Sequence, residues 1–177
     1  MSLDPGAHFE QAARAKVETL GPSIDLDTFA ASFNLFRVAT RVIGDLEAAV
    51  HRPRGLTTAG FRLLFTVWTL GEMQPRELAR LAGVSRAAVS GTVSTLANAG
   101  LVDKVKHPQD GRMLTVRLTD AGTALLKESY LAQNEQEKAR FGQLSPEELR
   151  TFAALSRRLM ADPDHSVRDR SSGEDCR

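Results

Sequence analysis

Residues 75–102 read PRELARLAGVSRAAVSGTVSTLANAGLV, and the fold turns on how this stretch breaks into pieces. Pro75 suits the first turn of a helix, where its missing N–H has no partner to lose. Leu78 and Leu81 fall inward on a short helix through Ala82. Gly83-Val84 makes a tight link, and Ser85 can accept an orphan N–H and so open a second helix. That helix is expected to run to about Ala99 with Ala88, Val89, Val93 and Leu96 inward, and Gly100 stops it. Its other face carries Arg86, Ala87, Ser90, Gly91, Ser94 and Thr95, which are small and polar with one cation. A short helix, a glycine-bearing turn and a second helix form the helix-turn-helix arrangement. An ordinary antiparallel helix pair in a core is the plainer alternative, but it leaves the small polar face without a reason.

Immediately downstream the code changes from helix to strand. Two strand-like arms, Leu101–Lys106 and Met113–Leu118, flank the turn signal Asp110-Gly111, and Leu114, Val116 and Leu118 alternate with period two. Residues 76–119 hold seven Lys/Arg against three Asp/Glu, a net +4 inside a chain whose total is +1. A central basic segment in an otherwise mildly acidic protein is the charge layout of a nucleic-acid reader, although an excess of this size also arises as ordinary surface variation. The second helix fits the major groove of DNA. A loop on two strands can reach past it into the minor groove, where Arg112 would meet negative potential. Asp110 could hold that guanidinium by a charge-assisted hydrogen bond. Taken alone the pair is a surface ion pair worth about 0–1 kcal/mol, so the hairpin gains its meaning from the helices before it.

The flanks are helical. A weak pattern over 5–20 carries Phe9, Ala12, Ala13, Val17 and Leu20, and Gly21-Pro22-Ser23 ends it. Asp25 or Asp27 can cap a long helix to about Val50. That helix has two apolar stripes, one through Phe29, Phe33, Phe36, Ile43 and Val50 and another through Leu35, Val38, Val42 and Leu46. Two stripes imply burial on more than one side, against its own core and against a partner. After the connector HRPRGLT (51–57), Thr57 can cap a helix to about Leu70 whose stripe Phe61, Leu64, Phe65, Trp68 is assigned to the core. Thr119 caps a helix to about Phe141, and SPEE (145–148) is a capping-box start for a last helix to about Met160. From Ala161 the polar tail has nothing to bury and is expected to be disordered.

Several classes are excluded or disfavoured. There is no apolar run of membrane-spanning length and no secretion signal is read at the start, so the features predict a cytoplasmic protein without membrane partners. The only cysteine, Cys176, sits in the tail, which rules out an internal disulfide. GVSRA (83–87) falls short of a nucleophile elbow because Ala87 replaces the last glycine and a helix precedes it. The four histidines show no metal spacing and no phosphate-cradling glycine loop occurs. No catalytic residue, cofactor or metal is predicted.

Together these residues resemble the MarR family of winged helix-turn-helix transcriptional regulators, over roughly Asp27 to Met160. The wing signature matches at Asp110, Arg112, Leu118, Thr119 and Gly122. The recognition-helix frame matches at Ser85, Val89, Ser90, Leu96, Gly100, Leu101 and Val102. The resemblance implies a mainly α fold with one β-hairpin wing: a winged helix-turn-helix lobe over 57–119, a helical dimerisation region over 24–56 and 120–160, and an extra N-terminal helix within 1–23. It implies a homodimer that reads a pseudo-palindrome in double-stranded DNA through Ser85, Arg86, Ala87, Ser90, Gly91, Ser94, Thr95, Lys104, Asp110 and Arg112. Repression is the family default, with release by a small, often aromatic or phenolic ligand in a crevice between the dimer helices and the lobe. Arg37, Arg41, His51, Phe61 and Arg62 could line that crevice and hold an anionic ligand, while a solvated surface role is the plainer reading of each arginine. Two departures stand out. Gly91 occupies a position where many relatives carry Arg. The extra helix is similar to one in the urate-responsive branch but lacks its Trp, and Arg62 replaces an acidic residue there, so urate is not carried over. A winged-helix dimer that acts through protein–protein contacts is the competing reading.

Overall fold

The computed structural model describes the backbone of residues 5–82, 84–107 and 110–161, and their side chains except at 5, 106, 107 and 110–113. Gly83 in the predicted turn, the predicted Asp110–Arg112 contact and the tail beyond Ala161 lie outside what is described. The elements are α1 (Pro5–Glu18), α2 (Leu26–Leu46), α3 (Thr58–Leu70), α4 (Pro75–Ala82), α5 (Arg86–Asn98), β1 (Val102–His107), β2 (Asp110–Leu118), α6 (Asp120–Phe141) and α7 (Pro146–Met160). The fold is a mainly helical one with a two-stranded antiparallel wing. The chain divides into two compact units, residues 1–133 and 134–177.

The helix starts are set by side-chain caps. Asp25 accepts from the backbone N–H of Asp27 and Thr28 at 3.0 and 3.1 Å. Those bonds favour the ionised form and hold its carboxyl below the ordinary value, the Thr28 N–H contributing most. Thr57 caps α3 through Gly60 N–H at 3.0 Å, and Ser85 caps α5 through Ala88 N–H at 3.1 Å. In the second unit Ser145 and Glu148 exchange both bonds of the capping box, and Phe141 meets Phe152 with ring centroids 6.2 Å apart.

One core serves α3, α4, α5, the wing and the start of α6. Leu64, fully shielded from solvent, sits among Leu63, Val67, Leu78, Val89, Val93, Leu96, Val102, Val116 and Leu126. The wing register pairs Val102 with Leu118 and Lys104 with Val116. Val116 also exchanges both backbone bonds with Met73, which ties β2 to the segment before α4.

Four expectations change. The helix ending near Val50 instead loses α geometry after Leu46 and closes in a π-turn, Glu47–His51, followed by a short 3-10 turn, Arg52–Arg54. The wider turn rotates Val50 and His51 inward, where both are buried. Leu81 and Trp68, expected inside, are 48% and 47% exposed. Helical spacing put them on the right sector of their helices, but the neighbouring elements leave each about half open to solvent. Ala88, also expected inward, is exposed at the edge of the core. Asp110 and Gly111 belong to β2, with Asp110 paired to His107, rather than to the turn itself.

Thr119 joins wing to α6: its N–H donates to Leu101 O, its hydroxyl donates to Gly100 O at 2.8 Å, and the same oxygen accepts from Gly122 N–H at 2.9 Å. This draws Gly122 so close to Leu101 that a Cβ there would overlap the Leu101 carbonyl oxygen. Because backbone rather than a flexible side chain occupies the space, Gly122→Ala is expected to lower unfolding free energy by about 2 kcal/mol or more, read from urea melts. An unchanged melt would mean the junction relaxes freely.

Candidate nucleic-acid interface

The exposed face of α5 exists because its apolar residues occupy a single sector. Val89, Val93 and Leu96 point into the core, which leaves Arg86, Ala87, Ser90, Gly91 and Thr95 at the surface and Ser94 half-buried. The hydroxyls on this helix are not equivalent. Thr92 donates to Ala88 O at 3.0 Å and Thr95 to Gly91 O at 3.1 Å, so both protons are used within the helix. Ser94 instead accepts, from Lys104 Nζ at 3.0 Å, and so a β1 cation is brought onto the face of α5. At Gly91 a Cβ would meet nothing within 4 Å, so the middle of the face is open. The wing is braced by an Asp103–Arg117 ion pair at 3.0 Å across its two strands.

Among the predicted interface residues, Ser94 and Lys104 are in direct contact, and Ser85, Arg86, Ala87, Ser90, Gly91 and Thr95 share the helix. Asp110 begins β2, and the side chains of Asp110 and Arg112 lie outside the described residues. Among the described residues no group of three His, Cys, Asp or Glu could hold a metal ion, and no helix is long and apolar enough to cross a membrane.

Residues 56–114 match the model of the MarR family. An HTH-type transcriptional regulator of Mycobacterium leprae is 33% identical over 105 residues, 54% of this chain and 73% of that protein. The regulator YwaE of Bacillus subtilis is 27% identical over 145 residues, 82% and 84% of the two chains. The chain belongs to the MarR family. The fold agrees with a cysteine-to-serine mutant of MarR from Escherichia coli complexed with operator DNA (TM-score 0.68, 20% identity, 76% and 96% of the chains covered). It also agrees with Bordetella bronchiseptica BpsR, whose structure concerns regulation of DNA binding by 6-hydroxynicotinic acid (TM-score 0.67, 24% identity, 73% and 98% covered). The chain is thus a MarR-family transcriptional regulator.

The residues first assigned to a ligand crevice are not gathered into one site in this family member. His51 and Phe61 are both buried, stacked at 4.6 Å between centroids, so they belong to the core. Arg37 lies over the rings of Phe9 and Phe33 at 5.8 and 5.3 Å, where α1 meets α2. Arg41 is exposed on α2, and Arg62 lines a separate cavity. Aromatic packing and cation–π contact claimed these side chains first.

Around His51 the structure shows a network that local sequence spacing does not reveal. Thr58 donates both its backbone N–H and its hydroxyl to Glu47 Oε2. The same Thr58 oxygen lies within hydrogen-bond distance of His51 Nδ1, at 3.2 Å. His51 Nε2 faces the Gln133 side-chain amide at 3.0 Å, across 82 residues of sequence. The Thr58 hydroxyl, and then its N–H, lower the Glu47 carboxyl below its ordinary value. A carboxyl depressed in the folded state contributes stability above its unfolded pKa and loses it as pH falls through the folded one. Glu47→Gln is therefore expected to cost on the order of 1 kcal/mol at neutral pH, modest because the carboxylate is partly open to water. The gap to wild type should close as urea melts are taken down through the acid range, and a gap that stays constant with pH would refute the assignment.

Proposed function

We propose that this protein is a homodimeric repressor that binds double-stranded DNA at a pseudo-palindromic operator and is released by a small ligand. The observation that carries the proposal is the open, small-residue face of α5 with Lys104 laid against Ser94 at 3.0 Å. Side chains this short let a helix backbone approach base edges closely, and a neighbouring cation meets phosphate. Operator DNA bound to the Escherichia coli relative of the same fold supports this use of the face.

The dimer reading rests on apolar surface. The 21-residue helix α2 has no buried residue, and Phe36 is 71% exposed with Leu35, Val38 and Ile43 also exposed. In the second unit α7 likewise has no buried residue, with Phe152, Leu155 and Leu159 exposed. A second copy related by a two-fold axis would cover such faces and set two recognition helices about 34 Å apart, one turn of DNA.

For the ligand, a cavity of about 250 Å³ lies between α3 and α6, lined by Trp68, Leu126, Lys127, Tyr130 and Leu131. Two aromatic rings and one cation suit a small anionic aromatic molecule. Such a ligand weakens DNA binding to the extent that it prefers the non-binding arrangement. Regulation of BpsR by 6-hydroxynicotinic acid supports this chemistry.

A dimer acting only through protein contacts is the second reading, favoured by Gly91, which removes a side chain from the centre of the face. A salt-titrated gel shift on the DNA upstream of the protein's own gene separates the two. A DNA reader is expected to lose affinity steeply between ~50 and ~200 mM salt as counterions are released, whereas a protein-contact dimer shows no specific shift. Arg86→Ala is expected to cost about 1–3 kcal/mol and relax preference at one position per half-site. Equal loss on all sequences would assign Arg86 to phosphate instead. Arg112→Ala should weaken binding with the dimer intact.

A further inference from the structure

The chain passes from the long helix α2 into the lobe through a connector, residues 47–57, that is anchored only at its far side. α2 buries none of its own residues, whereas Val50 and His51, just after it, are almost wholly enclosed. The chain is therefore gripped by the lobe from the π-turn Glu47–His51 onward, and the direction of α2 depends on what holds that turn. The lever is long. α2 has 21 residues, so at 1.5 Å per residue a swing of ~10° about its lobe end displaces the far end by about 5 Å. One base pair advances only ~3.4 Å along DNA, so a small change of angle spans more than one step of the duplex.

Side chains fasten the turn to both of the helices beside it. Glu47 accepts the backbone N–H and the hydroxyl of Thr58 on α3, and His51 Nε2 lies 3.0 Å from Gln133 Oε1 on α6. Arg54 reaches in two directions at once. Its Nη1 donates to Val50 O at 3.0 Å, and its Nε donates to Glu128 Oε1, also at 3.0 Å. The last carbonyls of a helical segment lack partners inside it, and a cation there is favoured. A guanidinium carries its donors on separate nitrogens in one rigid plane, so it can hold a carbonyl and a carboxylate in a fixed relation, which the single nitrogen of a lysine does not do. Glu128 is a firm point of reference, because Leu126, two residues before it, lies in the lobe core. The Arg54 side chain is 23% exposed and that of Glu128 66%, so the pair contributes little to stability. Its effect is on geometry.

We propose that Arg54 is a positioning residue for operator binding: by clasping the end of α2 to α6 it fixes the angle between α2 and the lobe, and so sets the half-site spacing that the dimer accepts. The second half rests on the dimer and DNA readings above. With α2 covered by a second copy, a change of angle at the turn carries each lobe, and the α5 it holds, toward or away from the two-fold axis. Loss of the clasp therefore loosens the preference for spacing and leaves each half-site contact as it was. Glu128 is the cleaner handle on the clasp, since it lies at the surface and its loss opens no buried network.

The test has one arm without DNA and one with it, both on the full-length protein. For the first, Asp27→Cys at the far end of α2 and Asn98→Cys at the end of α5 are spin-labelled in a Cys176→Ser background. The sample is diluted with unlabelled protein, so that pulsed EPR reads distances within one chain. A single narrow distance is expected, and Arg54→Gln or Glu128→Gln should each widen it by about 5 Å. The double variant should widen it no further than either single one, because both remove the same contact. An unchanged distribution, or widening that adds in the double variant, would overturn the clasp. For the second arm, DNA upstream of the protein's own gene is compared with versions carrying one base pair inserted or deleted at the operator centre. The parent protein is expected to prefer one spacing by ~10-fold or more, and both single variants by ~3-fold or less. A preference retained in both would overturn the spacing role. Absence of any specific shift with the parent protein would remove the DNA half of the proposal, and the EPR result then decides the angle by itself.

Discussion

The lobe is organised by the requirement that α5 bury one apolar stripe and no more. Val89, Val93 and Leu96 recur at spacings of four and three residues and are almost fully shielded. Around them close Leu64 and Val67 from α3, Leu78 from α4, and Val102 and Val116 from the wing. A helix committed on one sector must present the opposite sector to water. The small polar face is thus a consequence of packing before it is a feature of recognition. The same geometry explains why the wing lies where it does, since Val102 and Val116 are shared between strand pairing and the core beneath α5.

The junction between wing and α6 has the same dual character. Thr119 satisfies carbonyls at Gly100 and Leu101 and caps the new helix at Gly122. Gly122 is required for closeness rather than flexibility, because the Leu101 carbonyl occupies the volume a side chain would need. The Leu-Thr-x-x-Gly string at 118–122 is therefore legible as a packing instruction as well as a family signature.

What the sequence disclosed and what it withheld divide along the range of the interaction. Caps at Thr57, Ser85, Thr119 and Ser145 could be read directly, since a cap involves residues three apart. Choosing Asp25 over Asp27 needed coordinates, and so did the π-turn at 47–51, because one widened turn leaves no mark in a 3.6-residue period. Trp68 and Leu81 show the limit of periodicity, which identifies an apolar sector but not whether another element reaches it. The His51–Gln133 contact joins residues far apart in the chain, and nothing near His51 announces it. For the same reason the proposed ligand residues separated: Arg37 went to the phenylalanines of α1 and α2, and His51 to the core. The residues predicted on α5 stay together because they share one helix surface, which local spacing alone fixes.

Gly91 leaves the centre of the α5 face without a side chain. Glycine in a helix interior costs roughly 1 kcal/mol relative to alanine. A helix of this length is held mainly by tertiary burial, so α5 tolerates the loss through Val89, Val93 and Leu96. With no side chain at 91 the backbone can come nearer to a duplex, and contact shifts to the residues beside it. Thr92 and Thr95 have spent their protons on helix carbonyls, whereas among the described residues the Ser90 hydroxyl has no hydrogen-bond partner and the Ser94 hydroxyl accepts one bond, from Lys104. The free donors at the centre of the face are then two serine hydroxyls one turn apart, with Arg86 at the helix start. Serine protons match the acceptors on purine and thymine edges in the major groove, so base choice on this face would depend on short hydroxyls.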